Sequence, residues 1–427
     1  MRVKPFWSVK TFIFLLTVAI MAAGAATSQA KTKFKVLHTF HGANGLFPVT
    51  QLVRDSEGNF YGTTSGGGSG TCNPVGCGTV FKLNKNGTQV WLYSFNGSNG
   101  LQPLAGVVRD SAGSLYGTTV YGGHVNSMCG QLGCGVVFKL DKNRKETVLH
   151  RFGGGSTDGF FPEGLLSRDA TGTLYGTTQL GGNNNGPGDG TVFKVDDRGR
   201  ERLAFSFDYT DGFEPSAGVI ADAAGNLFGT TAVGGAYRWG TVFELDSSGT
   251  ETVLYNFADG PDGAVPSSGL VEDAAGNLYG TTSYGGNLNC GGGSGCGVVF
   301  ELSSNSGGSW TEHVLYTFCS ESGCADGEQP QGGPLVRDAT GDLYGTTYFG
   351  GDSSCGFEGG GCGVVFKVDS NGSETVLHSF AGGRDGAYPD SGLIKGAQDT
   401  LYGTAEEGGD NRCNPPNGCG TVFKINQ

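Results

Sequence analysis

Basic side chains are in short supply here. The 427-residue chain sets 27 Lys and Arg against 40 Asp and Glu, a net charge of −13. A surface of that sign repels phosphate backbones, which excludes nucleic acid as a partner. Long apolar runs are missing as well, apart from one near the start, so nothing later in the chain reads as a membrane span or second anchor. Enzyme signatures are also lacking. There is no Gly-x-Ser-x-Gly elbow between strand and helix, no helical His-Glu-x-x-His and no phosphate loop. Glycine is plentiful, at 81 residues, but its clusters interrupt hairpins and open no helix, so none reads as a nucleotide site. No cofactor is implied.

The apolar run at the start belongs to a leader. Arg2, Lys4 and Lys10 precede apolar residues from Phe12 to Ala23, and Ser28-Gln29-Ala30 offers a small-x-small cleavage site. Residues 1–30 therefore read as a secretory signal peptide and 31–427 as the mature domain. The competing reading, an uncleaved anchor, needs about 20 apolar residues, and this run is shorter. Cleavage deepens the net charge from −13 to −16, since three basic residues leave and no acidic one does. The expected address is extracellular, at the cell surface or periplasmic, and a soluble monomer is expected there.

Twelve cysteines in an exported chain predict disulfides. They fall into close pairs: Cys72/Cys77, Cys129/Cys134, Cys290/Cys296, Cys319/Cys324, Cys355/Cys362 and Cys413/Cys419. Tens of residues separate most pairs, so local pairing is the economical connectivity. Zinc is the alternative, but it wants four converging ligands. Here each pair sits on a different repeat and no histidine partners one at a regular offset.

The repeat itself is the loudest signal. Leu-Tyr-Gly-Thr-Thr or a near variant recurs seven times, its aromatic at Tyr61, Tyr116, Tyr175, Phe228, Tyr279, Tyr344 and Tyr402. Spacings of this order mark an array of supersecondary units. The fifth copy reads as four strands: Gly269–Asp273, Leu278–Ser283, Val298–Leu302 and His313–Phe318, divided by turn signals. Seven such units predict an all-β fold, a seven-bladed β-propeller of four-stranded antiparallel blades. A solenoid or a string of independent domains fits less well, because one such sheet cannot bury enough surface alone. The ends support closure. The chain stops at the third strand of blade seven, and Val36-Leu-His-Thr-Phe40 matches Val376-Leu-His-Ser-Phe380. The N-terminal strand is expected to complete the last blade and abolish two sheet edges.

The recurring Asn-Leu-Tyr-Gly-Thr-Thr, Gly-Gly, Gly-Thr-Val-Phe and Val-Leu-x-x-Phe segments resemble the Gloeo/Verruco tandem repeat of secreted bacterial proteins. The resemblance runs over nearly all of the chain after the leader and implies an exported repeat protein. It transfers no catalytic residue, and the terminal sorting segment of some members is absent.

Candidate function sits on one face. Loops from second to third strand, and from each fourth strand into the next blade, share that face and carry the length variation. Five staples stiffen it in blades five, six, seven, one and two; Cys319/Cys324 lies between blades five and six. Blades three and four lack staples. Blade three offers Asn184 and Asp189, and blade four offers Tyr237, Arg238 and Trp239, the residue types that dominate binding hot spots and stack on sugar rings. The plainer reading of Trp239 is a plug for the gap a disulfide fills elsewhere.

Three rings of residues have plainer readings too. Asp158, Asp211, Asp262, Asp326 and Asp385, each before a Gly and followed by a Pro, read as turn residues, or as a cation-binding ring if they face the channel. Asp55, Asp110, Asp169, Asp222, Asp273 and Asp338 read as turn caps. On the opposite face Arg54, Arg109, Arg168, Arg337 and Lys395 read as local salt bridges, or an anion ring. His38, His150 and His378 share a position with Tyr and Phe, which points to packing. The reading is a secreted binding or interaction module for a glycan or an extracellular protein. A polysaccharide lyase or hydrolase on the variable-loop face, where His41 and His124 lie, is the alternative, and an architectural envelope protein is the third.

Overall fold

In the computed structural model, residues 32–72, 74–155, 157–182, 188–356 and 360–427 are described. They form seven four-stranded antiparallel sheets. Blade five runs Val271–Glu272, Leu278–Thr282, Val298–Ser304 and Trp310–Thr317, with each strand paired to the next. The first strand of each blade is short, and the residues leading into it line the central channel. The fourth strand is therefore outermost.

Ring closure is as expected. Lys33–Thr39 pairs antiparallel with Thr421–Asn426, placing Lys33 opposite Asn426 and Thr39 opposite Thr421, and so completes blade seven. Among the described residues no helix is long and apolar enough to cross a membrane.

Each sequence repeat builds the same packing unit. The Gly of the recurring phrase lies beneath the Phe of the partner strand, and a Cβ on Gly62 would sit 2.6 Å from Phe81 Cζ. The demand for glycine thus comes from within the blade, whereas the seam between blades is aromatic. The Phe that follows each fourth strand meets the third-strand Phe of the next blade edge to face at all seven seams: Phe40–Phe81, Phe95–Phe138, Phe152–Phe193, Phe207–Phe243, Phe257–Phe300, Phe318–Phe366 and Phe380–Phe423. Their centroids are 5.0–5.3 Å apart. Such pairs contribute about 0.5–1.5 kcal/mol each beyond area burial.

The opposite face corrects one expectation. The Asp caps form: Asp55 Oδ1 accepts the Glu57 and Asn59 N–H groups, while Oδ2 accepts the Tyr61 hydroxyl at 2.9 Å. The cations, however, reach across the seam. Arg109 lies over Tyr61, Arg168 over Tyr116, Arg337 over Tyr279 and Lys395 over Tyr344, at 5.1–5.9 Å. Arg337 and Lys395 pair with the preceding blade's Asp273 and Asp338. These contacts tie blades together, while Lys395 also keeps a local salt bridge to Asp399 at 3.0 Å.

All six disulfides join the expected neighbours. Two of them meet: the sulfurs of Cys290, Cys296 and Cys319 lie within 4.8 Å of one another.

Candidate functional site

On the variable-loop face, one backbone slot recurs in every blade. The residue two before the third strand offers its carbonyl to the loop entering the next blade. The acceptors are Cys77, Cys134, Asp189, Trp239, Cys296, Cys362 and Cys419. Five of these are the second cysteine of a staple, and all five side chains are buried, at 0–2% exposure. Trp239 takes the same slot at 40% exposure, with Tyr237 beside it at 60% and Tyr209 at 43%. The Tyr209 carbonyl accepts the Gly235 N–H, which seats the blade-four loop on the loop before it.

The residue ahead of that slot is Gly76, Gly133, Gly188, Gly295, Gly361 and Gly418 in six blades, with φ between 70° and 86°. Blade four has Arg238 there, at φ 72°. In the left-handed region a side chain costs about 1–2 kcal/mol. At Gly361 a Cβ would also lie 2.0 Å from the Gly350 carbonyl oxygen. Blade four makes room by slipping register: Gly234 bridges Trp239, where Gly67, Gly285, Gly350 and Gly408 bridge the glycine itself. Asp189 is half-buried, and Asn184 lies outside the described residues.

A second feature surrounds the channel mouth, and sequence reasoning missed it. The residue before each recurring Pro has positive φ, from 53° to 59°, at Phe47, Gln102, Phe161, Glu214, Val265, Gln329 and Tyr388. Each is clamped from both sides: its N–H donates to the previous blade's slot carbonyl, and its own C=O accepts from the residue after the second strand. The frame is constant while the side chains differ, which is how a rigid scaffold presents a recognition surface.

The residues after those prolines enter the channel, a cavity of about 310 Å³, among them Glu163 and Asp390. Burial, with Glu214 nearby, pushes Glu163 up to about 7. Burial raises Asp390 to about 6. Glu406, close to Asp390, is likewise pushed up to about 7 by burial and that neighbour. Its carboxylate accepts the Tyr348 hydroxyl at 3.2 Å, and Tyr348 stacks on Tyr388 at 5.0 Å. Aligning the seven copies on their prolines would have exposed these variable positions.

The five Asp candidates do not line that channel. Asp158 accepts the Gly154 and Gly159 N–H groups, Asp211 that of Asp208, and Asp262 those of Ala258 and Gly260. Asp326 accepts from Ser320 and Asp385 from Ala381. They cap their own loops and face fourth-strand residues: His150 meets Asp158, Tyr255 meets Asp262, Tyr316 meets Asp326 and His378 meets Asp385. The local turn captures each carboxylate at an outer seam, so no ring around the channel forms. His41 binds Asp410 at the exposed rim, 3.0 Å away. On blades one and two a separate cavity of about 580 Å³ is lined by Val75, Tyr121, Val125 and Leu132.

A closed ring of like blades with one variable face makes this a seven-bladed, tandem-repeat β-propeller. The chain belongs to the Gloeobacter/Verrucomicrobia repeat family, whose profile matches residues 25–186, 125–292 and 186–423. No curated protein matches it. Among solved structures it is similar to a fungal alcohol oxidase in complex with copper. That likeness has 12% identity and a TM-score of 0.54, covering 92% of this chain and 76% of the other. It is also similar to the extracellular domain of a one component system from B. thetaiotaomicron, at 13% identity and TM-score 0.50, covering 90% and 40%. A gluconolactonase from Xanthomonas campestris matches at 13% identity and TM-score 0.41, covering 68% and 78%. Likeness at these identities shows the fold alone.

Proposed function

We propose that the protein is an exported binding module, its leader at residues 1–30 removed, which recognises a carbohydrate through the loop face of blades three and four. One observation carries this reading. Where five blades bury a cysteine, blade four exposes Trp239 behind an Arg238 held in a glycine's conformation. Exposed aromatic faces beside a guanidinium suit the apolar face and hydroxyls of a sugar ring. The six disulfides fit an oxidising compartment.

The test is a glycan-array screen of the oxidised chain with Trp239→Ala alongside. A hit lost in the variant supports the proposal. A hit retained in the variant overturns the assignment of the site. No hit shifts the reading to a protein partner, for which Val75, Val125, Met128 and Leu132, each 43–64% exposed, form the natural patch.

The channel mouth favours a second reading, a polysaccharide-directed lyase or hydrolase. Carboxyls near Tyr348 that hold protons close to neutrality suit general acid work. Turnover of an array hit that disappears in Glu406→Gln would decide for it.

A further inference from the structure

The outer seams repeat one arrangement of three side chains. A residue late in the fourth strand, the Asn or Asp of the following loop, and a residue early in the next blade's fourth strand, opposite an aliphatic residue of the third strand, come together. Around the ring these are His38/Asn44/Gln89, Tyr93/Asn99/Glu146, His150/Asp158/Glu201, Phe205/Asp211/Glu251, Tyr255/Asp262/Glu312, Tyr316/Asp326/Glu374 and His378/Asp385/Phe34. Six of them lack at least one metal-ligating group of the imidazole–carboxylate–carboxylate set. Only the seam between blades two and three unites all three.

At that seam the ligand atoms of His150, Asp158 and Glu201 lie within 4.8 Å of one another. His150 Nε2 is 3.2 Å from Asp158 Oδ1. Two ligands on a tetrahedral zinc at ~2.0–2.1 Å are separated by about 3.3 Å, so this pair already spans one edge of the coordination shell. The site is held in place from behind. His150 packs edge to face on Phe152 at 4.7 Å, and the Gly154 and Gly159 N–H groups fix the Asp158 carboxylate. Beside it opens a cavity of about 660 Å³ lined by a further imidazole, His124, and by the exposed Arg151 and Arg202.

We propose that His150, Asp158 and Glu201 bind one Zn²⁺ ion, with its fourth position open to the His124-lined cavity. Two carboxylates and a neutral imidazole exactly balance the charge of the ion, and three protein ligands with one open position is the pattern of sites that hold water or a ligand. No cysteine competes while all are disulfide-bonded.

The other repeats supply variants that the frame tolerates: His150→Phe reproduces Phe205, and Glu201→Gln reproduces Gln89. The oxidised chain is stripped with chelator, dialysed and titrated with Zn²⁺ alone, following bound zinc per chain and the thermal midpoint. One zinc per chain and a raised midpoint are expected for the parent. Both variants should fold with the parent's metal-free midpoint yet bind zinc more weakly, by more than the roughly 10–100-fold that losing an outer-shell partner costs. Unchanged stoichiometry and affinity in both variants, or no binding by the parent, overturns the proposal.

Discussion

Blades five, six, seven, one and two close their variable loops with a disulfide, whereas blades three and four do not. Both groups use the same backbone slot, and the slot carbonyl makes the same hydrogen bond in each. Only the side chain's fate differs: a cysteine turns inward and is buried, while Trp239 remains partly in water. The staple is therefore no requirement of the propeller frame. It stiffens an arc whose loops are long, and the frame manages without it where the loop is as short as Ala236–Trp239. Rigidity on one arc and exposed recognition chemistry on the other are separable properties of the same repeat.

Removing the staples is the harshest test of that separation. Closing a loop of six or so residues contributes about 2 kcal/mol in the chain-entropy model. Each staple is thus worth only a fraction of the ~5–15 kcal/mol net stability of a typical domain, and reducing it loosens the loop it closes before the ring. Limited proteolysis after reduction should cut within 72–77, 129–134, 290–296 and 413–419 while leaving 236–239 as resistant as before. Equal cleavage everywhere would show that the ring's stability is shared evenly and that the two arcs do not differ.

The channel mouth should respond to pH in a manner indifferent to the staples. Glu163, Asp390 and Glu406 titrate higher when folded than when unfolded, so the native state holds more protons between about pH 4 and 7. Stability is then greatest below the unfolded values and falls as pH rises through the folded ones. Each group contributes on the order of 1 kcal/mol after allowance for water in the channel. The urea midpoint should drop between pH 5 and 8 in both oxidised and reduced protein, and Glu163→Gln should flatten the slope. A midpoint that rises over that range would reverse the sign of the argument.

How much of this was legible follows from the range over which each residue acts. The repeated Gly beneath its partner-strand Phe, the Asp caps and the cysteine pairs act over short stretches of chain, and their spacing alone identified strands, turns and staples. Closure by Val36–Phe40 was legible because a missing fourth strand leaves a countable gap. What escaped depends on the ring being closed. Glu163 and Asp390 come from blades three and seven and share the channel only once the ring is closed, and Arg109 finds Tyr61 only across a seam. His150 was read as packing because Tyr and Phe share its position. That was correct for the ring contact with Phe152 and silent about Asp158 and Glu201, which lie in a loop and in the next blade.

Trp239→Ala addresses the exposed arc directly. Loss of a stacking anchor should weaken glycan binding tenfold or more, about 1.4 kcal/mol. The unfolding midpoint should move by no more than about 2 °C, since the side chain is 40% exposed. A large fall in midpoint with binding intact would return Trp239 to the role of a plug, equivalent to the buried cysteines.

The smallest expected change is the most discriminating. Six blades place glycine at the position of Arg238, and the backbone there has the same left-handed φ in all seven. Restoring the consensus with Arg238→Gly removes a conformational penalty of roughly 1 kcal/mol while adding unfolded-state entropy, so a net gain in stability of up to about 1 kcal/mol is expected. If Arg238 is retained for recognition, the same variant should bind glycan more weakly, and stability and affinity will move in opposite directions. A variant that is both more stable and equally good at binding would mean that the register slip at Gly234 and Trp239 is a local accident of a short loop. A variant that loses stability would mean that the arginine side chain secures the loop, and the contrast between the two arcs would then be one of fastening method alone.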